Sequence, residues 1–408
     1  MIDTSEINLV ETKTQEIIKN QTNLPRRKSS SDERNSIVLI KQKLKQSKVL
    51  EPIEEYKSQI MPLEKELFEN LNLEWGVDII SEDMPLIDKN YNNYYCHIIR
   101  TANPDPNKNN FFLIHGYISS SMHYICLIPY LIKRFNIFIP DTIGMGLSSR
   151  PQVKFSTPMQ CEEYFISTYH IIIENIFFKN KFNIKKEYYL CGHSLGGFIA
   201  SRYMLRYPKG IKKVLLLSPC GITDYHIKGT NMDANATCLF CCMFKTFPSC
   251  LAPCQIGLRN IYRCCCCLRE SIKNYYEDDV KFDENEIKKN KDGTPFVLNK
   301  KKISSILGQL GILALKYPKD LSHCAYHIFT VPPIGCILPI ENKMKRVNRK
   351  ETIIVFGETD FMDREGSYRL QNYNPKLYKV YSVKNGGHSF SLENPEELCK
   401  IISQHFEE

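Results

Sequence analysis

The chain has 408 residues, 43% hydrophobic and 24% charged, which allows one sizeable core with appendages, and no apolar run reaches the roughly 18 to 20 residues of a membrane-spanning helix. The net charge of +9, from 54 basic residues dispersed among 45 acidic ones, argues against nucleic acid as a partner. The first thirty residues are polar and show no apolar stretch of a secretory signal, so the expected location is cytoplasmic.

Residues 1 to about 36 are poor in aromatics and rich in Asn, Thr, Ser, Lys and Glu, which predicts a disordered tail. Within it, Arg26-Arg27-Lys28-Ser29 places a serine after three cations, a string that basophilic kinases read and that also arises often by chance. From 37 to 71 the spacing of Ile, Leu and Phe among charges predicts one or two amphipathic helices, completing an N-terminal segment over 1–70. Beyond it, strand signals fall at 94–100, 111–114, 135–140, 188–191, 213–217, 352–356 and 378–383, with a long helix predicted over 159–178. Strands alternating with helices imply an α/β fold, a mostly parallel sheet covered on both faces. Between 221 and 349 the rhythm breaks and no comparable β run occurs, so the core is expected over 71–220 and 350–408, with a largely helical cap inserted at 221–349. Residues 289–302, with Asp-Gly-Thr-Pro, are expected to be an exposed loop of that cap.

Gly192-His193-Ser194-Leu195-Gly196 stands between a β-rich run and an apolar helical pattern, and matches the strand–turn–helix G-x-S-x-G elbow that presents a nucleophilic serine. Its bland alternative is a serine serving only as a helix N-cap. A serine hydroxyl is a poor nucleophile near neutral pH, so it needs a base within reach and an acid to orient that base. Downstream, in the order of this fold class, come Asp360 after the run 352–356 and His388 after Asn385-Gly386-Gly387, both at carboxyl ends of strands. Asp363 is the rival acid, although its position suits the cap of a following helix. An oxyanion would be met by the amide of Leu195 and by that of Tyr117, in Leu113-Ile114-His115-Gly116-Tyr117, with His115 a structural residue of that loop. Gly144 and Gly146 lack the spacing or lysine of a phosphate-binding loop. No cofactor is implied.

The motifs LIHGY, IPDTIGMGLSSRP, GHSLGG, YHIFTVPPIGCILPI and FGETDFMD, in this order over residues 70–408, resemble the α/β-hydrolase superfamily. Within it they are similar to the lipid-acting subfamily of the lipid-droplet lipase coactivator, an N-acylphosphatidylethanolamine lipase and the yeast cardiolipin deacylase. The resemblance implies an acyl-ester hydrolase of glycerophospholipids, a phospholipase or lysophospholipase, with Ser194, Asp360 and His388 as triad and Tyr117 and Leu195 as oxyanion donors. The coactivator branch lacks the serine, so Ser194 favours an enzyme over a noncatalytic lipase-binding scaffold. That subfamily usually carries H-x-x-x-x-D, linked to acyl transfer onto lysophosphatidate; here the run is His388-Ser-Phe-Ser-Leu-Glu393, which puts a lysophospholipid acyltransferase second.

The cap carries the compositional anomaly. Of 17 cysteines, ten lie between Cys220 and Cys267, including the unbroken Cys264, Cys265, Cys266 and Cys267. Four consecutive cysteines suit no disulfide scaffold. Between 238 and 275, five Lys or Arg stand against one Glu among apolar residues. Cations beside apolar bulk favour an anionic lipid surface, and clustered cysteines there resemble palmitoylated anchors. The expectation is peripheral attachment to a membrane or lipid-droplet surface through the cap, with a lipid acyl ester as substrate. A zinc site at Cys238, Cys241, Cys250 and Cys254 and simple free thiols are the other readings, and a metal is not expected.

Overall fold

Strand residues that are apolar at every position, as in Phe111, Phe112, Leu113 and Ile114, build a sheet buried on both faces, since successive side chains point to opposite sides. The computed structural model describes residues 38–40, 42–43, 49–50, 54–86, 94–117, 119–179, 182–224, 288–289, 295–296, 299–316, 328–330 and 335–407. The expected tail with Ser29 and most of the expected cap, including Cys264, Cys265, Cys266 and Cys267 and the 238–275 segment, lie outside the described residues.

One eight-stranded sheet forms the core. Its strands are β1 (Ile79–Pro85), β2 (Tyr95–Thr101), β3 (Asn109–Ile114), β4 (Phe135–Pro140), β5 (Tyr188–His193), β6 (Ile211–Leu217), β7 (Thr352–Gly357) and β8 (Tyr378–Val383). They lie in the order β1-β2-β4-β3-β5-β6-β7-β8, and every pairing from β4 to β8 is parallel while β1–β2 and β2–β4 are antiparallel. Helices α1 (Glu54–Asn70), α2 (Pro158–Ile173), α3 (Leu195–Arg206), α4 (Lys300–Lys316), α5 (Glu341–Val347), α6 (Glu365–Tyr373) and α7 (Pro395–Phe406) surround it. The two faces carry separate apolar clusters. Phe112, Leu190, Leu216 and Phe356 pack with Tyr164 of α2 and Phe198 of α3 on one face. On the other, Phe111, Tyr189, Leu215 and Val355 pack with Phe68 of α1, Ile303 of α4 and Leu398 of α7.

Six of the seven predicted strands fall within observed ones, the seventh, 94–100, is displaced by one residue to Tyr95–Thr101, and the elbow strand extends to His193. The long helix predicted over 159–178 is α2 followed by a π-helical turn, Glu174–Phe178. Of the predicted loop 289–302, residues 300–302 belong to α4, where Ile303, Ile306 and Leu310 recur at helical spacing and are buried. Strand β1 was not predicted, because Ser81, Glu82 and Asp83 interrupt its apolar pattern. Its charges pair across to β2 and α1 instead: Glu82 with Arg100 at 2.9 Å, and Asp83 with His97 at 2.9 Å and Lys57 at 2.5 Å. No described helix is long and apolar enough to cross a membrane.

Candidate active site

Ser194 occupies the turn between β5 and α3 at φ 54°, a left-handed conformation rare for a residue with a side chain. Two close approaches set this turn. A Cβ on Gly192 would stand 2.2 Å from the Gly196 carbonyl oxygen, and one on Gly196 would stand 2.1 Å from that of Ile114. Only glycine admits such contacts. The Ser194 amide donates to Leu217 O at 2.9 Å, and its carbonyl accepts from Phe198 N at 3.1 Å and Cys220 N at 3.2 Å. Ser194 stands at the N-cap position of α3, but its hydroxyl makes no capping bond.

The loop after β3 lies against this turn: a Cβ on Gly116 would be 3.3 Å from Ser194 Cβ. His115 shapes that loop. Its Nε2 accepts the Thr142 amide at 2.9 Å, so the proton of the neutral ring sits on Nδ1, which donates to Gly116 O at 2.8 Å. Tyr117 follows half-buried at the same loop, and Leu195 begins α3, where helix amides are unsatisfied within the helix. In the neighbouring loop, which carries Gly144 and Gly146, the buried Asp141 carboxylate accepts the amides of Ser121 at 2.6 Å and Leu147 at 2.7 Å. These glycines serve a compact turn around a carboxylate.

At the ends of β7 and β8, His388 Nδ1 lies 3.0 Å from Asp360 Oδ1. The Asp360 side chain is fully buried, that of His388 21% exposed. Asp360 also accepts the Met362 amide at 3.0 Å and the Ser218 hydroxyl. A carboxylate only accepts, so Nδ1 carries a proton, and Nε2 is the nitrogen left to take up or release one. The rival Asp363 is turned elsewhere: its Oδ1 accepts the Glu365 amide at 2.8 Å, at the start of α6. Arg364 wraps the acid turn, donating to Glu358 O at 3.0 Å and Asp360 O at 3.4 Å. Phe361, 37% exposed, lays its ring 4.5 Å from that of His388. Glu393 is buried and accepts the Gly387 amide, so its longer arm clamps the turn just before His388.

Several of these groups escape sequence reasoning. Ser218 sits at the end of β6 at φ 43°, and its strand-end position was the signal available. Arg364, His193 and His123 belong to no motif that assigns them a part. The rings of His123 and His193 stack at 4.0 Å, and that of His193 lies 4.7 Å from His388. Burial, with His388 and His115 nearby, pushes His123 down to about 3; burial beside His123 and His388 holds His193 well below the usual imidazole range. Both rings are neutral at neutral pH.

A second Ser-His-Asp grouping lies away from the elbow. Ser81 Oγ is 2.7 Å from His97 Nε2, and His97 Nδ1 is 2.9 Å from Asp83 Oδ1. The Ser81 hydroxyl donates its one proton to Glu64 Oε2 at 3.0 Å, so Nε2 must donate to Ser81 while Nδ1 donates to Asp83. His97 is therefore an imidazolium: burial opposes the charge, but the bonds to Asp83 and Glu64 outweigh it and lift the ring to about 10. A doubly protonated ring is no base. The grouping ties α1 to β1 and β2.

Among the described residues no cluster of His, Cys, Asp and Glu forms a metal site, and the seven described cysteines are buried free thiols. The cysteines weighed for zinc fall outside the described residues.

The family profile described as alpha/beta hydrolase fold matches residues 109–236. Protein ECM18 of Saccharomyces cerevisiae is 24% identical over 336 residues, covering 71% of this chain and 69% of that protein. A probable 1-acylglycerol-3-phosphate O-acyltransferase of Oryza sativa subsp. japonica is 29% identical over 30% of this chain and 28% of its own length. The (lyso)-N-acylphosphatidylethanolamine lipase of Homo sapiens is 29% identical over 30% of this chain and 33% of its own. The chain thus spans a third or less of the last two. Among solved structures, a membrane phospholipase A aligns over 86% of this chain and 90% of its own, with a TM-score of 0.53 at 15% identity. A Bacillus subtilis carboxylesterase, CesB, aligns over 86% and 98%, with a TM-score of 0.52 at 16% identity. The fold is that of the α/β-hydrolases.

Proposed function

We propose that this chain of the α/β-hydrolase fold is a serine hydrolase of lipid acyl esters, a phospholipase or lysophospholipase, working through an acyl-enzyme. The observation that carries the reading is the His388–Asp360 hydrogen bond of 3.0 Å, at strand ends neighbouring the positive-φ Ser194. Ser194 Oγ attacks the acyl carbonyl as His388 Nε2 takes its proton, and Asp360 holds the Nδ1–H and stabilises the imidazolium that forms. The amides of Leu195 and Tyr117 receive the oxyanion. Collapse expels the alcohol, protonated by His388. Water, deprotonated by the same nitrogen, then releases the acid and frees the serine.

Lipid as the substrate class rests on the five motifs and on relatives named for N-acylphosphatidylethanolamine lipase and acyltransferase activity. Access to that substrate is assigned to the cationic, cysteine-rich 238–275 segment, acting at a membrane or lipid-droplet surface, with acyl anchors on Cys264, Cys265, Cys266 and Cys267. A second reading, acyl transfer to a lysophospholipid, is favoured by the names of the plant relatives. The ratio of transacylated to hydrolysed product in a mixed assay separates the two. The test of the first reading is Ser194→Ala, expected to abolish ester hydrolysis and labelling by a fluorophosphonate while the thermal unfolding curve stays in place. Full activity in that variant would sink the mechanism, and a folded wild type that never labels would return the chain to the scaffold reading.

A further inference from the structure

We infer that His193 is a positioning residue that fixes the distance between the nucleophile turn and the histidine turn. The inference rests on the serine mechanism above. Strands β5 and β8 are separated in the sheet by β6 and β7, so their ends stand roughly 14 Å apart at the usual strand spacing. Among the described residues the backbone joins them in relays: Ser194 N to Leu217 O at 2.9 Å, Ser218 N to Val355 O at 2.8 Å, and Thr359 N to Gly386 O at 2.9 Å. Each relay adds its own play. The turn that follows β8 comes back towards β5, and His193 joins it to the elbow in one step. Its Nε2 lies 2.8 Å from the carbonyl oxygen of His388, while its own backbone leads directly into Ser194.

The proton placement follows from the partner. A carbonyl cannot donate, so Nε2 carries the hydrogen of this neutral ring and Nδ1 carries a lone pair. Among the described residues that lone pair has no hydrogen-bond partner, and it faces Gly116, where a Cβ would stand 3.0 Å from Nδ1. A buried acceptor left unpaired costs stability. The ring is thus poorly chosen for packing alone and well chosen as a single rigid donor. It stacks on His123 at 4.0 Å, itself fixed by Ser391 Oγ at 2.9 Å, and meets the tilted His388 ring at 4.7 Å. One side chain therefore touches the histidine turn and abuts the oxyanion loop while belonging to the elbow.

The experiment compares His193→Phe, which keeps the stacked ring and removes the donor, with His193→Gln, which keeps an N–H donor, using a short soluble nitrophenyl ester. His193→Phe should lower kcat about ten- to hundredfold, the range expected of misplaced catalytic groups, with KM within about twofold and the melting curve unshifted or raised. His193→Gln should recover most of that loss. His123→Phe, which preserves the stack from behind, should be near wild type. If His193→Phe turns over within about twofold of wild type, or if Gln is as impaired as Phe, or if His123→Phe is as impaired as either, the inference is overturned. Should the Phe variant not fold, His193→Leu takes its place beside Gln, with the same outcomes deciding. Retention of turnover in Ser194→Ala would instead remove the serine mechanism beneath it, a separate result.

Discussion

Replacing Asp360 by Asn tests the assignment of the acid with little change of shape. Asp360 is buried and accepts three hydrogen bonds: from His388 Nδ1 at 3.0 Å, Met362 N at 3.0 Å and Ser218 Oγ. The Asn oxygen can take the place of Oδ1, and its amide group can donate to the Ser218 hydroxyl, which rotates to accept. Packing therefore survives, and what disappears is the negative charge facing the imidazolium that forms in the transition state. Two unit charges about 4 Å apart interact by about 4 kcal/mol at an effective dielectric constant of 20. Measured triads lose about 10⁴-fold in turnover on the same change, or about 5.5 kcal/mol. The two figures agree in order, so the expected fall in kcat is about 10³- to 10⁴-fold. Asp363→Asn keeps the oxygen that accepts Glu365 N at 2.8 Å, and an Asn caps a helix about as well as an Asp, so turnover should change by less than about threefold. The assay is kcat on a soluble ester, paired with the rate of fluorophosphonate labelling and a melting curve for each variant. A larger loss in Asp363→Asn, or more than about a tenth of wild-type turnover in a folded Asp360→Asn, would refute the assignment.

The imidazolium network beneath α1 predicts a stability effect without a change of chemistry. His97→Leu leaves the buried Glu64 carboxylate with the Ser81 hydroxyl as its one remaining partner among the described residues, and should cost about 3–5 kcal/mol in denaturant titration, most of it recovered when Glu64 is also made Leu. Because His97 is raised in the fold from 6.5 to about 10, its contribution is complete below about pH 6.5 and is lost as pH rises through about 10; wild-type stability should decline across that window, and the double variant should lack that component. Serine at Cys264, Cys265, Cys266 and Cys267 should move the protein from the membrane to the cytosolic fraction of cells while hydrolysis of a short soluble ester by purified protein is unchanged. Unaltered partition, or stoichiometric zinc whose removal abolishes activity, would show those cysteines to be something other than acyl anchors.

Chain order and residue type made the sheet and the positions of Ser194, Asp360 and His388 legible, because a buried parallel strand leaves a solid apolar run and its chemistry collects where the run stops. Strand β1 was opaque for the opposite reason. Its Ser81 and Asp83 are satisfied by His97 of β2 and by Glu64 and Lys57 of α1, partners 14 to 26 positions away that no local pattern announces. Ser218 and Arg364 were equally hidden. The first acts by a hydroxyl reaching a residue 142 positions on, the second by donating to carbonyls, groups that every residue possesses. Glu393 was read as a departure within a motif, and its extra methylene has a use in the fold, since the carboxylate returns to the Gly387 amide.

The two Ser-His-Asp groupings show where sequence and even distance stop being sufficient. At 2.9 Å, His97–Asp83 is as close as His388–Asp360 at 3.0 Å, and each grouping has a serine in or at the end of a sheet strand. Counting protons separates them. Around His97, Glu64 consumes the hydroxyl proton of Ser81 and the ring must supply both of its own, so the group is a buried cation whose work is finished when α1 docks. Around His388, the Met362 amide and the Ser218 hydroxyl neutralise part of the demand on Asp360, and only one ring proton is required. With Nδ1 holding the proton given to Asp360, the ring is free to offer a lone pair on Nε2 whenever it carries one proton, the one possession a general base cannot lack. Backbone geometry agrees with that ranking. Ser194 is held at φ 54° on a turn that only glycines on either side permit, whereas Ser81 lies in regular antiparallel strand, where no strain is stored and no hydroxyl is presented.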